Sequence, residues 1–187
     1  MTPSSAELIA FKDAFASGAT IAYPTEAVFG LGCDPDNDFA LNNVLSIKTR
    51  PQDKGVILIA SQLEQLQEYV DFSALTDEQW ANVEATWPGP FTWIMPKHPQ
   101  VSDLLSGGRM TLAVRLSAHP TVRLLCDTVG KPMVSTSANP SGMEPARDIK
   151  QIAKYFGDSV FVIDGPVDHS AQPSKIQDAV TGAVLRG

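Results

Sequence analysis

The stretch V-S-T-S-A-N-P-S-G (residues 134–142) runs from a short apolar segment into alternating hydroxyls and then into a turn. In an extended backbone Ser135 and Ser137 point to the same face, two residues apart. The N-P-S-G end alone would be enough for a turn. The hydroxyls, the Asn139 amide and the exposed backbone N–H groups therefore indicate a neutral cradle for phosphate or carboxylate oxygens. A simple turn remains the alternative for this stretch.

The strand that opens this stretch is one of a series that alternates with helical segments. Short apolar runs predict strands at residues 20–23, 56–60, 91–95, 112–114, 133–134 and 160–163. Capping pairs predict helix starts at Ser4 with Glu7, Ser61 with Glu64, Thr76 with Gln79 and Asp148 with Gln151. Helix C-terminal glycines are expected at Gly18, Gly130 and Gly157.

This alternation predicts an α/β fold in a single domain at residues 5–187. Residues 176–180 and 183–185, joined by Thr181-Gly182, are typical of a hairpin. A hairpin is antiparallel, so the sheet is expected to be mixed.

Composition narrows the classes of function. The chain has 187 residues, of which 43% are apolar, and a formal net charge of −7. An acidic balance disfavours a nucleic-acid binder that works by charge alone. The chain has no run of 18 apolar residues, which predicts no membrane span. Two distant cysteines, Cys33 and Cys126, predict unpaired thiols and a cytoplasmic location.

Several familiar sites are absent from the sequence. It contains neither the P-loop motif nor the G-x-S-x-G nucleophile elbow. His98, His119 and His169 share no metal-ligand spacing, so no protein metal site is predicted.

The stretch K-T-R-P-Q-D-K-G (residues 48–55) gathers three cations and one acid between a predicted helix and a predicted strand. Arg offers a planar fork and Lys a mobile point charge, so a triphosphate would use both. The alternative is a solvated helix end, in which Lys48 and Arg50 interact with the helix dipole.

Two more segments carry polar groups next to predicted strands. In Y-P-T-E-A-V-F-G-L-G (residues 23–32), Thr25 and Glu26 present a hydroxyl and a carboxylate where a strand ends; a capped strand-to-helix turn is the alternative. In T-L-A-V-R (residues 111–115), Arg115 leaves a buried strand and needs an anionic partner or a carbonyl cluster. A carboxylate-bearing substrate or an internal Asp would serve.

The motifs occur in one order along the chain: Y-P-T-E, K-x-R-P-x-x-K-G, T-x-A-V-R, S-T-S-A-N-x-S-G, and P-S-K-I-Q-D with a terminal L-R-G. In this set, which spans residues 5–187, the chain resembles the Sua5/YciO/YrdC family. The resemblance implies a twisted open α/β sheet with a large cationic cavity. It also implies condensation of L-threonine, bicarbonate and ATP to threonylcarbamoyl-adenylate and pyrophosphate, after which a separate transferase complex modifies adenosine 37 of tRNA.

The resemblance also implies roles for individual residues. ATP would be held by Arg50, Lys54, Thr111, Ser137 and Arg186, with Lys48 and Asn139 completing the phosphate cradle. Threonine would be held by Thr25, Arg115, Ser135 and Ser174. Longer family members place a threonine-binding His where this chain has Ile59.

Adenylation displaces pyrophosphate from the α-phosphorus, and catalysis of that kind rests on positioning and fixed positive charge. Lys48 and Arg50 are the predicted catalytic cations, and Mg²⁺ is expected to be carried by ATP because no carboxylate cage is visible. Two alternatives stay open. One is a non-catalytic RNA-binding module that uses the same cleft, and the other is a family paralogue with another carbamoyl substrate. If tRNA binds directly, it is expected to bind weakly.

Overall fold

The computed structural model describes residues 2–168 and 170–186; Met1, His169 and Gly187 lie outside the described residues. Within these ranges nine strands form one open mixed sheet in the order β7-β1-β2-β6-β3-β5-β4-β8-β9. The strands are β1 (Ile21–Pro24), β2 (Phe29–Gly32), β3 (Ile57–Ala60), β4 (Phe91–Pro96), β5 (Thr111–Leu116), β6 (Met133–Ser137), β7 (Phe161–Val162), β8 (Lys175–Asp178) and β9 (Val184–Arg186). The predicted α/β fold is confirmed.

Strand direction confirms the mixed sheet. β8 and β9 pair antiparallel as the predicted hairpin, whereas β3 pairs parallel with β5 and β4 parallel with β8. The prediction for residues 23–32 was incomplete, because β2 forms inside that segment, between β1 and β6. The run F-G-L-G contains two glycines and lacks an ordinary strand pattern. Gly32 is required there, since a Cβ at that position would lie 1.9 Å from the Val134 carbonyl oxygen.

The helices are α1 (Ser5–Ala16), α2 (Asp38–Ile47), α3 (Asp77–Glu84), α4 (Asp103–Ser106), α5 (Pro120–Val129) and α6 (Ile149–Phe156). Ser4 and Thr76 form capping boxes with Glu7 and Gln79, as predicted. Within the described ranges no helix is long and apolar enough to cross a membrane.

The helix predicted after Ser61 was wrong, because only a 3₁₀ turn forms there (Leu63–Leu66). The Ser61 amide and hydroxyl both donate to the Gln65 side chain, so the capping pattern with Glu64 is not used. The chain then turns back towards β4, where Val70 bridges to Lys97.

The core lies on both faces of the sheet. Alternate strand residues divide between two clusters: Leu58 belongs to the larger cluster, and its neighbour Ile59 to a smaller one beneath α1 and α5. Phe11 of α1 and Leu125 of α5 complete the smaller cluster. On that face the two helices cover only part of the sheet, which leaves the neighbouring part for a cavity.

Candidate active site

A cavity of about 500 Å³ opens on the face of the sheet that α1 and α5 cover only in part. Its floor includes Ile57 of β3, Ala113 of β5 and Ser135 of β6, which are register neighbours. Ile57 points to the same face as Ile59, two residues further along the strand. The volume lies within the range of small-molecule sites.

Nine of the eleven side chains predicted for the site line this cavity. They are Thr25, Arg50, Lys54, Thr111, Arg115, Ser135, Ser137, Ser174 and Arg186. The sequence places them in five separate motifs, and the sheet brings them together because β2, β6, β3, β5, β4 and β8 are consecutive neighbours. Lys48 and Asn139 are not among the residues that line the cavity.

Lys48 lies beneath the loop that follows β6. The residue is only 3% exposed. Its ammonium donates to the backbone oxygens of Ser137 and Asn139 and to Asn139 Oδ1 at 3.3 Å. Asn139 Oδ1 also accepts from Ser137 Oγ at 2.7 Å. Burial and the nearby Arg50 charge lower the pKa of Lys48 to about 8. Lys48 and Asn139 therefore hold the shape of the loop that presents Ser137.

Arg50 and Lys54 stand at one end of the cavity. Arg50 Nε and Nη2 donate to the Gly55 carbonyl at 3.1 and 3.0 Å, which fixes the guanidinium against its own loop. Lys54 lines the same end and donates no side-chain hydrogen bond to any described residue. Burial lowers the pKa of Arg50, yet an arginine stays protonated.

Arg109 is a third cation at this end, and sequence reasoning missed it. Its Nη2 donates to the Asp53 carbonyl at 2.7 Å and its Nη1 to the Ser106 carbonyl at 2.9 Å. Gly107 permits this contact, since a Cβ there would lie 2.4 Å from the Asp53 oxygen. Two glycines precede Arg109, just as Gly55 follows Lys54. This shared pairing of a cation with a glycine is the sequence signal that could have identified Arg109 as a site residue.

Arg115 forms a buried pair at the opposite end. Its Nε donates to the Gly89 carbonyl at 3.0 Å, and its Nη2 lies 2.8 Å from Glu26 Oε1. The N–H bonds of Nη2 do not point at that oxygen, so Nη2 lacks an aligned hydrogen bond within the described residues. Burial lowers the pKa of Arg115, and the Glu26 carboxylate opposes this. Among the described residues the partners of Arg115 are thus one carbonyl and one acid, and that acid is a Glu and not the Asp named as one alternative.

Hydroxyl groups complete the end of the cavity that holds Arg115. Ser174 Oγ lies 2.8 Å from Thr92 Oγ1, and it accepts from Arg186 Nη2 at 3.0 Å. Arg186 also donates twice to the Ser174 carbonyl, which ties β9 to the cavity wall. Thr25 donates its hydroxyl to the Val28 carbonyl at 2.6 Å. Ile59, the position where the resemblance implied a difference from longer family members, is 1% exposed and packs in the smaller core cluster.

Comparison with known proteins identifies the family to which this chain belongs. The family model Sua5_yciO_yrdC, described as telomere recombination, matches residues 13–187. A threonylcarbamoyl-AMP synthase of Yersinia enterocolitica is 54% identical over 166 residues, covering 89% of this chain and 87% of its own. One from Aliivibrio fischeri is 49% identical over 175 residues, covering 93% and 95%. The chain belongs to the Sua5/YciO/YrdC family.

A solved structure extends the comparison to the fold. The crystal structure of P. abyssi Sua5 complexed with L-threonine superposes with a TM-score of 0.84 at 30% identity. The match covers 92% of this chain and 50% of that one, so the chain spans about half the length of this relative.

Proposed function

We propose that this protein is a threonylcarbamoyl-AMP synthase, which condenses L-threonine, bicarbonate and ATP to L-threonylcarbamoyladenylate and pyrophosphate. The observation that carries the proposal is the division of one cavity into two ends. One end holds Arg50, Lys54 and Arg109, and the other holds Arg115 with Glu26 and Ser174. A triphosphate fits the first end and an amino acid the second.

The reaction requires positioning and positive charge. Negative charge grows on the bridging and pyrophosphate oxygens as the α-phosphorus is attacked, and preorganised cations stabilise that charge. Arg50 and Lys54 supply this positive charge directly. Ser137 and the backbone of its loop, held from beneath by Lys48, complete the cradle. The attacking oxygen belongs to the threonine carbamate, so the reaction needs no protein nucleophile.

In this proposal Mg²⁺ accompanies the triphosphate. The residues that the structure describes include no group of three or more His, Cys, Asp or Glu able to hold a metal. Among them Glu26 is the one carboxylate that lines the cavity, and it is paired with Arg115. Mg²⁺ commonly keeps several waters and binds through substrate phosphates, so this donor set fits a metal that arrives with ATP.

The direct test is incubation with ATP, Mg²⁺, bicarbonate and each amino acid in turn while pyrophosphate is measured. We expect release with threonine and bicarbonate together and none when either is omitted. Equal release without an amino acid would contradict the proposal. Release with a different substrate would identify a paralogue, and RNA binding without any release would favour the non-catalytic module.

The product is a mixed anhydride of a carbamate and AMP, so its threonylcarbamoyl group is activated for transfer to an acceptor. We propose a downstream threonylcarbamoyl transferase complex as its consumer, with adenosine 37 of tRNA as the final acceptor. The adenylate-forming step needs no nucleic acid, which suits a chain with a net charge of −7.

A further inference from the structure

We propose that Glu26 is a catalytic base of this reaction: its carboxylate receives the threonine ammonium and takes the proton that is released when the carbamate forms. The inference rests on the proposed function and assigns a role that the Y-P-T-E motif alone does not reveal. It starts from two buried polar atoms, Glu26 Oε2 and Arg115 Nη2, which have no aligned hydrogen bond among the described residues.

Unsatisfied buried polar atoms are costly. Glu26 and Arg115 both line the cavity, although these two atoms are themselves covered, so a substrate that displaces the pair can become their partner. Glu26 Oε1 is occupied, since it accepts from Ser117 Oγ at 2.9 Å and lies 2.8 Å from Arg115 Nη2. Oε2 has neither contact. A ligand that draws Arg115 onto its own anion would release Glu26 from its cation and uncover this oxygen.

A free amino acid carries the charges that such an exchange requires. Its carboxylate can pair with Arg115 and its ammonium with Glu26. The two groups are bonded to the same α-carbon, so they can reach the adjacent Arg115 and Glu26 side chains together. The surrounding charges favour this orientation, because Arg186 adds positive charge near Arg115. His119 is close enough to Glu26 to interact with its charge, and burial lowers the pKa of its imidazole, which favours the neutral form. Glu26 is thus the anionic group available for the ammonium.

Carbamate formation releases one proton. The ammonium and bicarbonate give the carbamate, one water and one proton: the N–C bond forms, a C–O bond of bicarbonate breaks, and water leaves. The product nitrogen now carries a carboxylate, which a charged Glu26 would repel. Transfer of the released proton to Glu26 neutralises its carboxylate. This step gives the proton an acceptor and ends the repulsion between Glu26 and the carbamate. Proton transfer by a positioned side chain typically contributes about 10²–10⁴-fold.

The two directions of the reaction separate this role from a structural one. Synthesis from threonine needs the proton transfer, whereas formation of ATP from threonylcarbamoyladenylate and pyrophosphate stops at the carbamate, which decomposes without the enzyme. For Glu26→Gln, which keeps the shape and an acceptor for Ser117, we expect the saturated forward rate to fall about a hundredfold. Because Glu26→Gln also removes the anionic partner of the buried Arg115, both rates are expressed per folded molecule, and the reverse rate should then fall less than about threefold. Glu26→Asp should recover part of the forward rate.

Glu84→Gln, on the exposed surface of α3, is the matched control and should leave both directions unchanged. The reverse reaction also reports whether Glu26→Gln is folded. An equal loss in both directions would overturn the proposal and leave Glu26 as a positioning partner of Arg115. Unchanged rates in both directions would also overturn it. If the wild type itself released no pyrophosphate with threonine, the proposed function would fail instead.

Discussion

The two ends of the cavity hold their cations in different ways. At the amino-acid end Arg115 is buried, with its side chain 10% exposed, and faces the Glu26 carboxylate. At the phosphate end Arg50, Lys54 and Arg109 face no carboxylate within 4.0 Å among the described residues, and Arg50 and Arg109 bond only to backbone carbonyls. Neutral carbonyls orient a guanidinium without cancelling its charge.

This difference suits the two proposed ligands. A triphosphate carries several negative charges and no positive one, so cations without counter-ions can bind it. An amino acid carries both signs, so a paired site offers a partner for each. The same difference predicts that substitutions at the buried end will affect folding, whereas substitutions at the phosphate end will affect catalysis alone.

The largest effect is expected for Arg115→Ala. It leaves Glu26 in the cavity wall without its cation, and breaking a buried pair in this way costs about 3–5 kcal/mol. Denaturant unfolding would measure the loss. The double variant Glu26→Gln/Arg115→Met, which removes both charges, should recover most of the stability and none of the activity. Stability within about 1 kcal/mol of wild type for Arg115→Ala would show that the pair is effectively solvated.

Arg50→Ala should have the opposite profile. We expect pyrophosphate release to fall about a hundredfold, as for the loss of one transition-state donor. Its two bonds to the Gly55 carbonyl are worth about 1 kcal/mol in net terms, so the melting temperature should stay within a few degrees. Arg123→Ala, at an exposed position of α5, is the control. A large drop in melting temperature with normal specific activity would make Arg50 structural.

A smaller effect is expected from the ionisation of Lys48, which lies two residues from Arg50 but beneath the site. Its pKa is about 8 in the folded chain against an ordinary 10.5, mainly because of burial and secondarily because of Arg50. Between these values the unfolded chain binds more protons, so the Lys48 contribution to stability rises with pH. The slope cannot exceed about 1.4 kcal/mol per pH unit for one proton.

The measurement is the difference in free energy of unfolding between wild type and Lys48→Met at pH 7 and pH 9. The free energy of unfolding of wild type should increase relative to that of the variant as the pH rises. Taking the difference cancels the other groups that titrate in this range. A difference that stays constant would place the pKa of Lys48 outside this window. In an Arg50→Ala background the gain should begin at higher pH, since one cause of the lowered pKa is removed.

Lys48 and Arg109 also show what the sequence could predict and what it could not. The motifs identified the loop and its cations, because Pro51 and Gly55 stop α2 and β3 from extending into it, and only one 3₁₀ turn (Gln52–Lys54) forms between them. They could not show that the Lys48 ammonium binds the Asn139 loop and does not line the cavity, since that depends on where this loop crosses α2's C-terminal end, about 90 residues later in the chain. Arg109 was missed because its partners, the Asp53 and Ser106 carbonyls, are backbone atoms.

For the fold too, the sequence predicted the features that depend on local residues and missed those that depend on distant contacts. Capping boxes identified the starts of α1 and α3 because that signal is local. β2 was missed because its pairing with β1 and β6, and not its own residues, makes it a strand. The Glu26–Arg115 pair needs the residues after β1 to reach β5, although β2, β6 and β3 separate these two strands in the sheet, and no local pattern encodes that contact.

The smallest effect is expected for tRNA, and it tests whether the unpaired cations at the phosphate end also serve a nucleic acid. Arg50, Lys54 and Arg109 could neutralise about three phosphates, which predicts a log–log salt slope for tRNA affinity of about −2 to −3. The overall charge of −7 opposes wider contact. Because ATP would use the same cations, saturating ATP should displace the RNA.

Affinity would be measured at several salt concentrations, with and without ATP, for wild type and for Lys54→Ala. Removing one of three phosphate contacts should reduce the magnitude of the slope by somewhat less than one unit. The Arg115→Ala variant should bind tRNA as wild type does once its lower stability is allowed for, because Arg115 is buried beside Glu26. A steep slope that ATP leaves unchanged would place a second basic surface outside the cavity and would favour the RNA-binding alternative.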